Sequence, residues 1–542
     1  MANGTRPQDS HAPNVFERGG WLPMRSYRDD DEVDVVIVGT GAGGGTLACR
    51  LAEAGLDVVA FDAGPFWRPL EEFASDEEAQ KKLYWNDRRI TGGSDPIELG
   101  SNNSGKSVGG STVHFTMVTL RWRPEWFDSR SRLGQGIDWP LGYRDVEPYY
   151  REVEEALQIS GPVSYPWGPA RPAYPRREHE VNAAGLVLAR GAEKLGIPWV
   201  ASPLATLSSP RAGAHPCVYR GFCAVGCSTN AKQSVLVTWI PRALQAGAEI
   251  RDRATVGRVE VEADGKASGV RYYRDGEWRR QRARVVVVAG YSIETPRLLL
   301  NSASSAFPEG LANGSGMVGK GLMVHSNDAV WAYFDEEIRC YKGPPVMALT
   351  EHWNYCDDKE FPGGYTIGSQ GPLPQKSAQG LSAGRGLWGM ELRREMTRYN
   401  HLAGLAIVGE IEPQEGNRVE LAEETDDLGL RIPKVTFGYS HNDRSLKRHA
   451  RSYMGRMLEA AGGSDLWEQE DTAHLMGGCR MGSDPSASVT DSFGRTWDVP
   501  SLWICDGSLF PTGGGVNPSC TIQALACRSA DRMIELFRRQ EM

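Results

Sequence analysis

The sequence predicts an α/β fold in which a parallel sheet with crossover helices is joined to a part built on an antiparallel sheet and helices. In residues 33–62 a buried strand, a glycine turn, a helical pattern and a second strand follow one another, which is a βαβ unit. Residues 248–284 alternate apolar and polar side chains around Asp-Gly turns, which is typical of an antiparallel meander, and a fully apolar strand at 285–290 follows. A chain of 542 residues also exceeds the usual domain size several times, so we expect at least two cores or one composite domain.

Composition excludes several classes of function. The chain has 60 basic and 69 acidic residues, and the basic residues are spread along it, which argues against a nucleic-acid partner. Its 10 cysteines are too sparse for a disulfide scaffold, and no stretch reaches the roughly 18 apolar residues of a membrane span. We therefore expect a cytoplasmic protein, without a membrane span, that acts on a small molecule.

The glycine turn carries the first chemical signal. Gly39, Gly41 and Gly44 fit the pattern G-x-G-x-x-G between a strand and a helix, and Asp62 ends the next strand. Glycines at these positions let the backbone approach a pyrophosphate, the helix start supplies N–H groups, and an acidic side chain binds ribose hydroxyls. The pattern predicts a dinucleotide site and leaves NAD and FAD open; the alternative is a glycine-rich turn without a ligand.

Three further blocks carry a resemblance to a known family. They are "SVGGSTVHFT" at 107–116, "HLMGGCRMGSD" at 474–484 and "DGSLFPTGGGVNPSCTIQALA" at 506–526, with a weaker echo in "MVGKGLMVH". Together with the glycine turn they resemble the glucose-methanol-choline (GMC) family of flavin-dependent alcohol oxidoreductases. The resemblance implies FAD as the cofactor and the oxidation of a CH–OH group.

The resemblance also implies a domain organisation. We expect a Rossmann-like FAD-binding domain assembled from the discontinuous segments 33–125, 217–330 and 471–542. Segments 126–216 and 331–470 are expected to form a substrate-binding domain with an antiparallel sheet and helices. Residues 1–32, which are polar, are expected to form an N-terminal arm.

Two residues stand at the family's catalytic positions. His474 matches the catalytic histidine and Asn517 the site of a second histidine or an asparagine. A neutral imidazole, with a reference pKa of ~6.5, suits removal of a hydroxyl proton, and an amide can donate to the developing alkoxide. The alternatives are a capping or core role for His474 and a turn-forming role for Asn517 beside Pro518.

Further residues are assigned to the cofactor by the resemblance. Asp506 and the amides from Pro518 to Thr521 are expected to face the ribityl chain and pyrimidine ring, Gly109 and Gly110 to contact the flavin, and Val256 to bond the adenine. His114, four residues after Gly110, stands where some members attach the flavin covalently. Covalent attachment and simple packing beside the ring both remain open.

The loop "CVYRGFCAVGC" holds Cys217, Cys223 and Cys227. Its spacing resembles the loop that binds a three-iron cluster in bacterial sugar and polyol dehydrogenases of the family, and thiolates suit iron–sulfur centres. Idle buried thiols, a zinc site and a disulfide are the alternatives. If the loop binds a cluster, the expected electron acceptor is a cytochrome partner, with which the chain is exported. If no cluster forms, the expected acceptor is oxygen or a quinone.

The substrate class follows from the same resemblance. The expected substrate is a sugar, glycoside or polyol, and the alternative is a hydrophobic alcohol or sterol. A flavoprotein of the same fold without redox activity, a lyase or a scaffold, is disfavoured because both His474 and Asn517 are present.

Overall fold

A computed structural model describes residues 25–542 except 102, 212–213 and 357–358. Residues 1–24 of the expected arm lie outside the described residues. The part from residue 25 onward is attached to the fold: Tyr27 is buried, its backbone N–H donates to Glu249 at 2.9 Å, and its hydroxyl donates to Asp57 at 3.0 Å.

The described residues form 20 strands and 12 α-helices. The strands are β1 Glu32–Val38, β2 Val58–Phe61, β3 Ile90–Gly92, β4 Ser160–Gly161, β5 Arg176–Arg177, β6 Val200–Ala201, β7 Glu249–Arg251, β8 Thr255–Val261, β9 Ala267–Arg274, β10 Glu277–Val288, β11 Met323–Ser326, β12 Ala329–Tyr333, β13 Ala348–Thr350, β14 Tyr365–Gln370, β15 Leu402–Gly409, β16 Arg418–Thr425, β17 Arg431–Thr436, β18 Ser464–Gln469, β19 Thr472–Met476 and β20 Leu502–Ile504. The α-helices are α1 Ala42–Glu53, α2 Pro69–Glu72, α3 Ser129–Leu133, α4 Tyr143–Leu157, α5 Ala183–Lys194, α6 Trp239–Gln245, α7 Tyr291–Asn301, α8 His352–Tyr355, α9 Pro374–Arg385, α10 Gly389–Met396, α11 His441–Ala460 and α12 Ser519–Arg538.

The first sheet has the order β7-β2-β1-β10-β9-β8, with β20 beside the end of β10. β1 is parallel to both β2 and β10, and its Val35, Val36 and Ile37 are fully buried because helices cover the sheet. α1 packs against α6 and α12. The predicted βαβ unit is therefore present. Its glycine turn connects the end of β1 to the start of α1.

β10 joins two kinds of sheet. Its first half pairs antiparallel with β9 in the meander, and its second half pairs parallel with β1 and β20. The sequence predicts the meander and the apolar strand at 285–290 as separate elements, and the structure makes them one strand whose neighbours change along its length.

The second sheet has the order β18-β12-β15-β14-β13-β6, and β11 pairs with both β15 and β19. α11 and α5 pack against each other and against this sheet, and apolar side chains such as Leu405 and Leu446 fill the space between. The predicted fold class, α/β with a Rossmann-like part and a second part of antiparallel sheet and helices, is confirmed. β11 and β19 belong to the second sheet although they lie in segments expected to bind FAD, and the exact domain boundaries stay a prediction.

Across the described residues, none of the helices combines the length and the apolar character that crossing a membrane requires.

Candidate active site

A cavity of ≈ 850 Å³ lies where the turn after β1, the segment 105–118, the second sheet and the start of α12 meet. Most of the residues singled out from the sequence line it. These are Gly39, Gly41, Asp62, Gly110, His114, Val256, His474, Asp506, Asn517 and Pro518.

Three residues predicted to bind the cofactor do not line the cavity. Gly44 lies inside α1, where an added Cβ would come within 2.0 Å of the Gly39 carbonyl oxygen, so its role is close packing of helix on strand. Gly109 has a φ of +91° and an added Cβ there would meet Leu236 at 2.9 Å. Thr521 is buried, and its hydroxyl is 2.9 Å from that of Tyr150 on α4.

Hydrogen bonds to Asp62 hold the glycine turn in place, and one side of the turn faces the cavity. The carboxylate of Asp62 accepts hydrogen bonds from the Thr40 hydroxyl at 2.6 Å and the Gly64 N–H at 2.9 Å. Burial raises the pKa of Asp62, while these hydrogen bonds act to lower it. At Gly41 an added Cβ would meet protein only at Gly110 Cα, 3.7 Å away. The space beside Gly41 therefore belongs to the cavity and not to the packed core.

A β-bulge places His474. Val324 of β11 pairs with Leu475 and the next residue, His325, pairs with Ala473, so His474 is the extra residue of β19. Its φ of +54° is in the left-handed region, which is uncommon for a residue with a side chain. Bulges commonly redirect a side chain next to an active site, and here the imidazole is directed into the cavity.

Asn517 meets His474 from the other side. Its Nδ2 lies 3.1 Å from Nε2 of His474, and it sits in the turn just before α12 begins. Burial lowers the pKa of His474 to about 4, so the imidazole is neutral near neutral pH. A neutral imidazole beside an amide is able to accept a proton at Nε2 while the amide donates to an adjacent oxygen.

The sequence reasoning missed His325. Its Nδ1 lies 3.1 Å from Nδ1 of His474, and its side chain is fully buried. The available signal was the segment "MVGKGLMVH", which the resemblance covers weakly and which ends at this histidine.

His114 is a buried histidine that lines the cavity. It packs edge-on against Tyr84, with ring centroids 5.2 Å apart, and its Nε2 has no hydrogen-bond partner among the described residues. Burial, with a smaller contribution from Lys232, lowers the pKa of His114 to about 3. The ring is therefore a neutral nucleophile with a free nitrogen.

Asp506 closes the cavity beside α7. Its carboxylate accepts hydrogen bonds from the Tyr291 N–H at 2.8 Å, the Thr295 hydroxyl at 2.5 Å and the Ser508 N–H at 2.8 Å. It thereby ties the strand end after β20 to the start of α7.

The family follows from the sequence matches. The two domains described as GMC oxidoreductase match residues 42–327 and 413–526. The chain belongs to the GMC oxidoreductase family. This confirms the resemblance drawn from the four sequence blocks, and the protein is an FAD-dependent oxidoreductase that acts on CH–OH donors.

Relatives of this GMC oxidoreductase include dehydrogenases and oxidases. It is 33% identical to 2-methyl-1,2-propanediol dehydrogenase of Mycolicibacterium austroafricanum, over 94% of this chain and 96% of the relative. It is 32% identical to paromamine 6'-oxidase of Streptomyces fradiae, over 97% of this chain and 96% of the relative. A solved variant of formate oxidase from Aspergillus oryzae RIB40 shares the fold, with a TM-score of 0.69 and 16% identity over 95% of this chain and 100% of that one.

FAD, the cofactor of the GMC family, fits this chain. The turn at Gly41 leaves open space where a pyrophosphate needs it, and α1 begins there with its N–H groups. His114, whose Nε2 has no hydrogen-bond partner among the described residues, lines the same cavity as the His474–Asn517 pair, and a flavin ring has room beside them.

The cysteine loop lies against this cavity through Gly221 and Ala224. Cys217, Cys223 and Cys227 are partly buried free thiols, and burial raises the pKa of Cys223 to about 12. Among the described residues no three His, Cys, Asp or Glu side chains are grouped so as to hold a metal ion. The donor chemistry of the three thiols suits an iron–sulfur cluster.

Lys232 connects that loop to the cavity. Its ammonium group is buried and donates to the carbonyl oxygens of Val113 and Cys223, each at 2.7 Å. The residue after Val113 is His114, so one buried cation bonds both the cysteine loop and the segment that carries the cavity histidine.

Proposed function

We propose that this GMC oxidoreductase oxidises a CH–OH group of a sugar, glycoside or polyol by hydride transfer to FAD, with His474 as the base. The observation that carries the proposal is the His474–Asn517 pair, which lines the same cavity as the open glycine turn. Bound FAD supplies the hydride acceptor.

The residues of the chain supply the proton chemistry. Nε2 of His474 takes the hydroxyl proton of the substrate, and Nδ2 of Asn517 donates to the oxygen that becomes negative. Asn517 is buried and His474 is half-buried, and in such a partly desolvated site the electrostatic contribution of the amide is strengthened. Because burial holds the pKa of His474 at about 4, the base is ready without prior deprotonation.

The wall formed by the second sheet supports a polyhydroxy substrate. Asn327, Gln370, Gln469 and Asp471 line the cavity there, and the Trp331 indole donates to Gln469 at 3.2 Å. These half-buried amides and carboxylates favour a substrate that hydrogen-bonds with them over a hydrophobic alcohol, which would leave them unpaired. The relative that acts on 2-methyl-1,2-propanediol is in keeping with this class.

The free nitrogen of His114 supports covalent attachment. Nε2 is buried, without a partner, and belongs to a ring that is neutral at physiological pH. We assign His114 as the attachment point of the flavin.

The route by which electrons leave involves the cysteine loop or bypasses it. With a cluster at Cys217, Cys223 and Cys227 the acceptor is a cytochrome partner, and without one it is oxygen or a quinone. We assign no step to a cluster. Iron analysis and low-temperature electron paramagnetic resonance of anaerobically purified protein test this: about three irons per chain establish the cluster, and less than about one excludes it.

An anaerobic panel of alcohols tests the function as a whole. Glycerol, free sugars, a methyl glycoside, a long-chain alcohol and a sterol are each mixed with the purified holoenzyme. We expect the flavin absorbance to bleach with members of the first three groups. Bleaching only with the long-chain alcohol or the sterol would overturn the substrate class, and no bleaching with any alcohol would overturn the redox function.

A further inference from the structure

His325 contacts the proposed base at Nδ1, the ring nitrogen that does not face Asn517. It lies on β11 opposite Ala473, at the bulge where His474 is left without a pairing partner on β11. The two rings are nearly perpendicular, with an interplanar angle of 84° and centroids 5.2 Å apart, and their Nδ1 atoms are separated by 3.1 Å. This is a hydrogen-bond distance between two nitrogens, so one of them carries the proton and the other accepts it.

The position of that proton decides whether His474 is a base. If Nδ1 of His474 carries it, Nε2 of a neutral ring has a free lone pair and accepts the substrate proton. If Nδ1 of His325 carries it, the proton of His474 sits on Nε2, and that atom is unable to accept another. The Nδ2 of Asn517, 3.1 Å from Nε2, is a donor and pairs with the first arrangement.

We propose that His325 is a positioning residue that accepts the Nδ1–H of His474 and thereby holds it in the tautomer that is basic at Nε2. The inference rests on the proposed function, since it assigns a role only if His474 is the base. It identifies a tautomer-setting partner that is a histidine, where a carboxylate or a backbone carbonyl commonly serves.

The surroundings of His325 keep it an acceptor throughout the reaction. Burial first, and the neighbouring His474 second, lower the pKa of His325 well below its usual range, while the backbone of Gly514 acts in the opposite direction. Its Nε2 side faces the turn before Asn517, where a carbon added at Gly513 would lie 3.7 Å from Nε2. When the substrate proton arrives at Nε2 of His474, the new imidazolium still donates from Nδ1 to His325. His325 neither gains nor loses a proton.

Two substitutions separate positioning from packing. In His325→Asn the side-chain oxygen takes the place of Nδ1 and still accepts, whereas His325→Leu fills a similar volume and removes the acceptor. We expect flavin reduction in His325→Leu to slow by about 10²-fold and in His325→Asn to stay within about 10-fold of wild type. A merely structural role reverses this order, because an apolar side chain is better tolerated in a buried site than a partly unpaired amide.

Stopped-flow reduction of the holoenzyme by an active alcohol is measured for both variants, with flavin content and circular dichroism as checks on folding. His325→Met replaces His325→Leu if the latter does not fold. Equal rates for the apolar variant and wild type, or a slower Asn than apolar variant, overturn the inference.

A double-mutant cycle gives the second test. If His325 acts through His474, adding His325→Leu to His474→Ala causes no further loss, whereas an additive loss shows an independent effect and overturns the inference. His474→Ala at the wild-type rate overturns the proposed base itself. A large loss in His474→Ala without any loss in His325→Leu overturns the inference alone.

Discussion

Nε2 of His474 and Nδ2 of Asn517 lie 3.1 Å apart, although the two residues come from different structural elements. His474 is presented by a bulge in β19 of the second sheet, and Asn517 by the turn before α12, which packs on helix α1 of the βαβ unit. The pair therefore exists only when both parts of the fold are in place. Catalysis and correct assembly of the two sheets are linked at this contact.

Substitution of the base is the first prediction. His474→Ala removes the proton acceptor and should slow flavin reduction by about 10² to 10⁴-fold while FAD stays bound. Asn517→Ala should slow flavin reduction by about 10²-fold, because only the donor to the alkoxide is lost. Stopped-flow spectroscopy measures both, and a rate near wild type in His474→Ala would remove this residue from the role.

The rate of flavin reduction should fall only at low pH. The reactive form of His474 is neutral, and burial lowers its pKa to about 4. The rate constant should therefore be constant from about pH 5.5 to 8 and fall about tenfold per pH unit below the pKa. Pre-steady-state reduction in pH-jump buffers measures this, with unfolding monitored in parallel. An acid limb near pH 6.5, the ordinary value, would contradict the burial of the free base.

The glycine turn is tested with Gly41→Val. Protein atoms leave room for a Cβ there, so the variant should fold, while the side chain enters the space assigned to the pyrophosphate. We expect apoprotein, measured as the ratio of flavin to protein absorbance. Gly416→Ala, where an added Cβ meets nothing within 4 Å, is the matched control and should keep its flavin. Full flavin occupancy in Gly41→Val would refute the assignment.

Covalent attachment is tested by acid precipitation. Flavin should remain with the wild-type pellet and appear in the supernatant from His114→Ala, because the unpartnered Nε2 is lost. His114→Gln, which keeps a polar side chain of similar reach, should also release flavin. Free flavin from the wild-type protein would show that His114 only packs beside the ring.

Thr521 should matter for stability and not for the cofactor. Thr521→Val breaks the buried contact with the Tyr150 hydroxyl and should cost about 1 kcal/mol in the free energy of unfolding, seen in the urea midpoint. In the Thr521→Val background, Tyr150→Phe should lower the free energy of unfolding by less than it does in the wild-type protein, because the hydrogen-bond partner is already gone. Loss of FAD from Thr521→Val would place the hydroxyl at the cofactor after all.

The sequence predicts well where neighbours in the chain are neighbours in space. The strand, glycine turn and helix of residues 32–53 form as expected, because each signal is local. The segment "DWPLGYRDVEPYY" predicts a Pro-initiated acidic helix from Glu147 onward. α4 instead begins at Tyr143, where the Asp145 carboxylate accepts the Gly142 N–H at 2.8 Å. Pro148 lies inside that helix.

Contacts between distant segments escape such reasoning. The turn towards Tyr150 that takes Thr521 away from the cavity depends on how α12 is rotated against α4. The meeting of His325 with His474 depends on a pairing shift between β11 and β19, and no periodicity along either segment encodes it. Most of the site residues identified from the sequence blocks line the cavity, and the shift adds His325, which we propose positions the base.

That pairing shift also makes the site sensitive to the number of residues in β19. With one residue fewer, 473 and 475 would pair without an extra residue between them, and regular alternation would send neighbouring side chains to opposite faces of the sheet. With one residue more, the imidazole would be displaced along the strand by about 3.3 Å, beyond hydrogen-bond reach of Asn517. The spacing between residues 472 and 476 is thus an expected requirement of the proposed catalysis, separate from the identity of any side chain. Insertions or deletions there should abolish turnover where many substitutions do not.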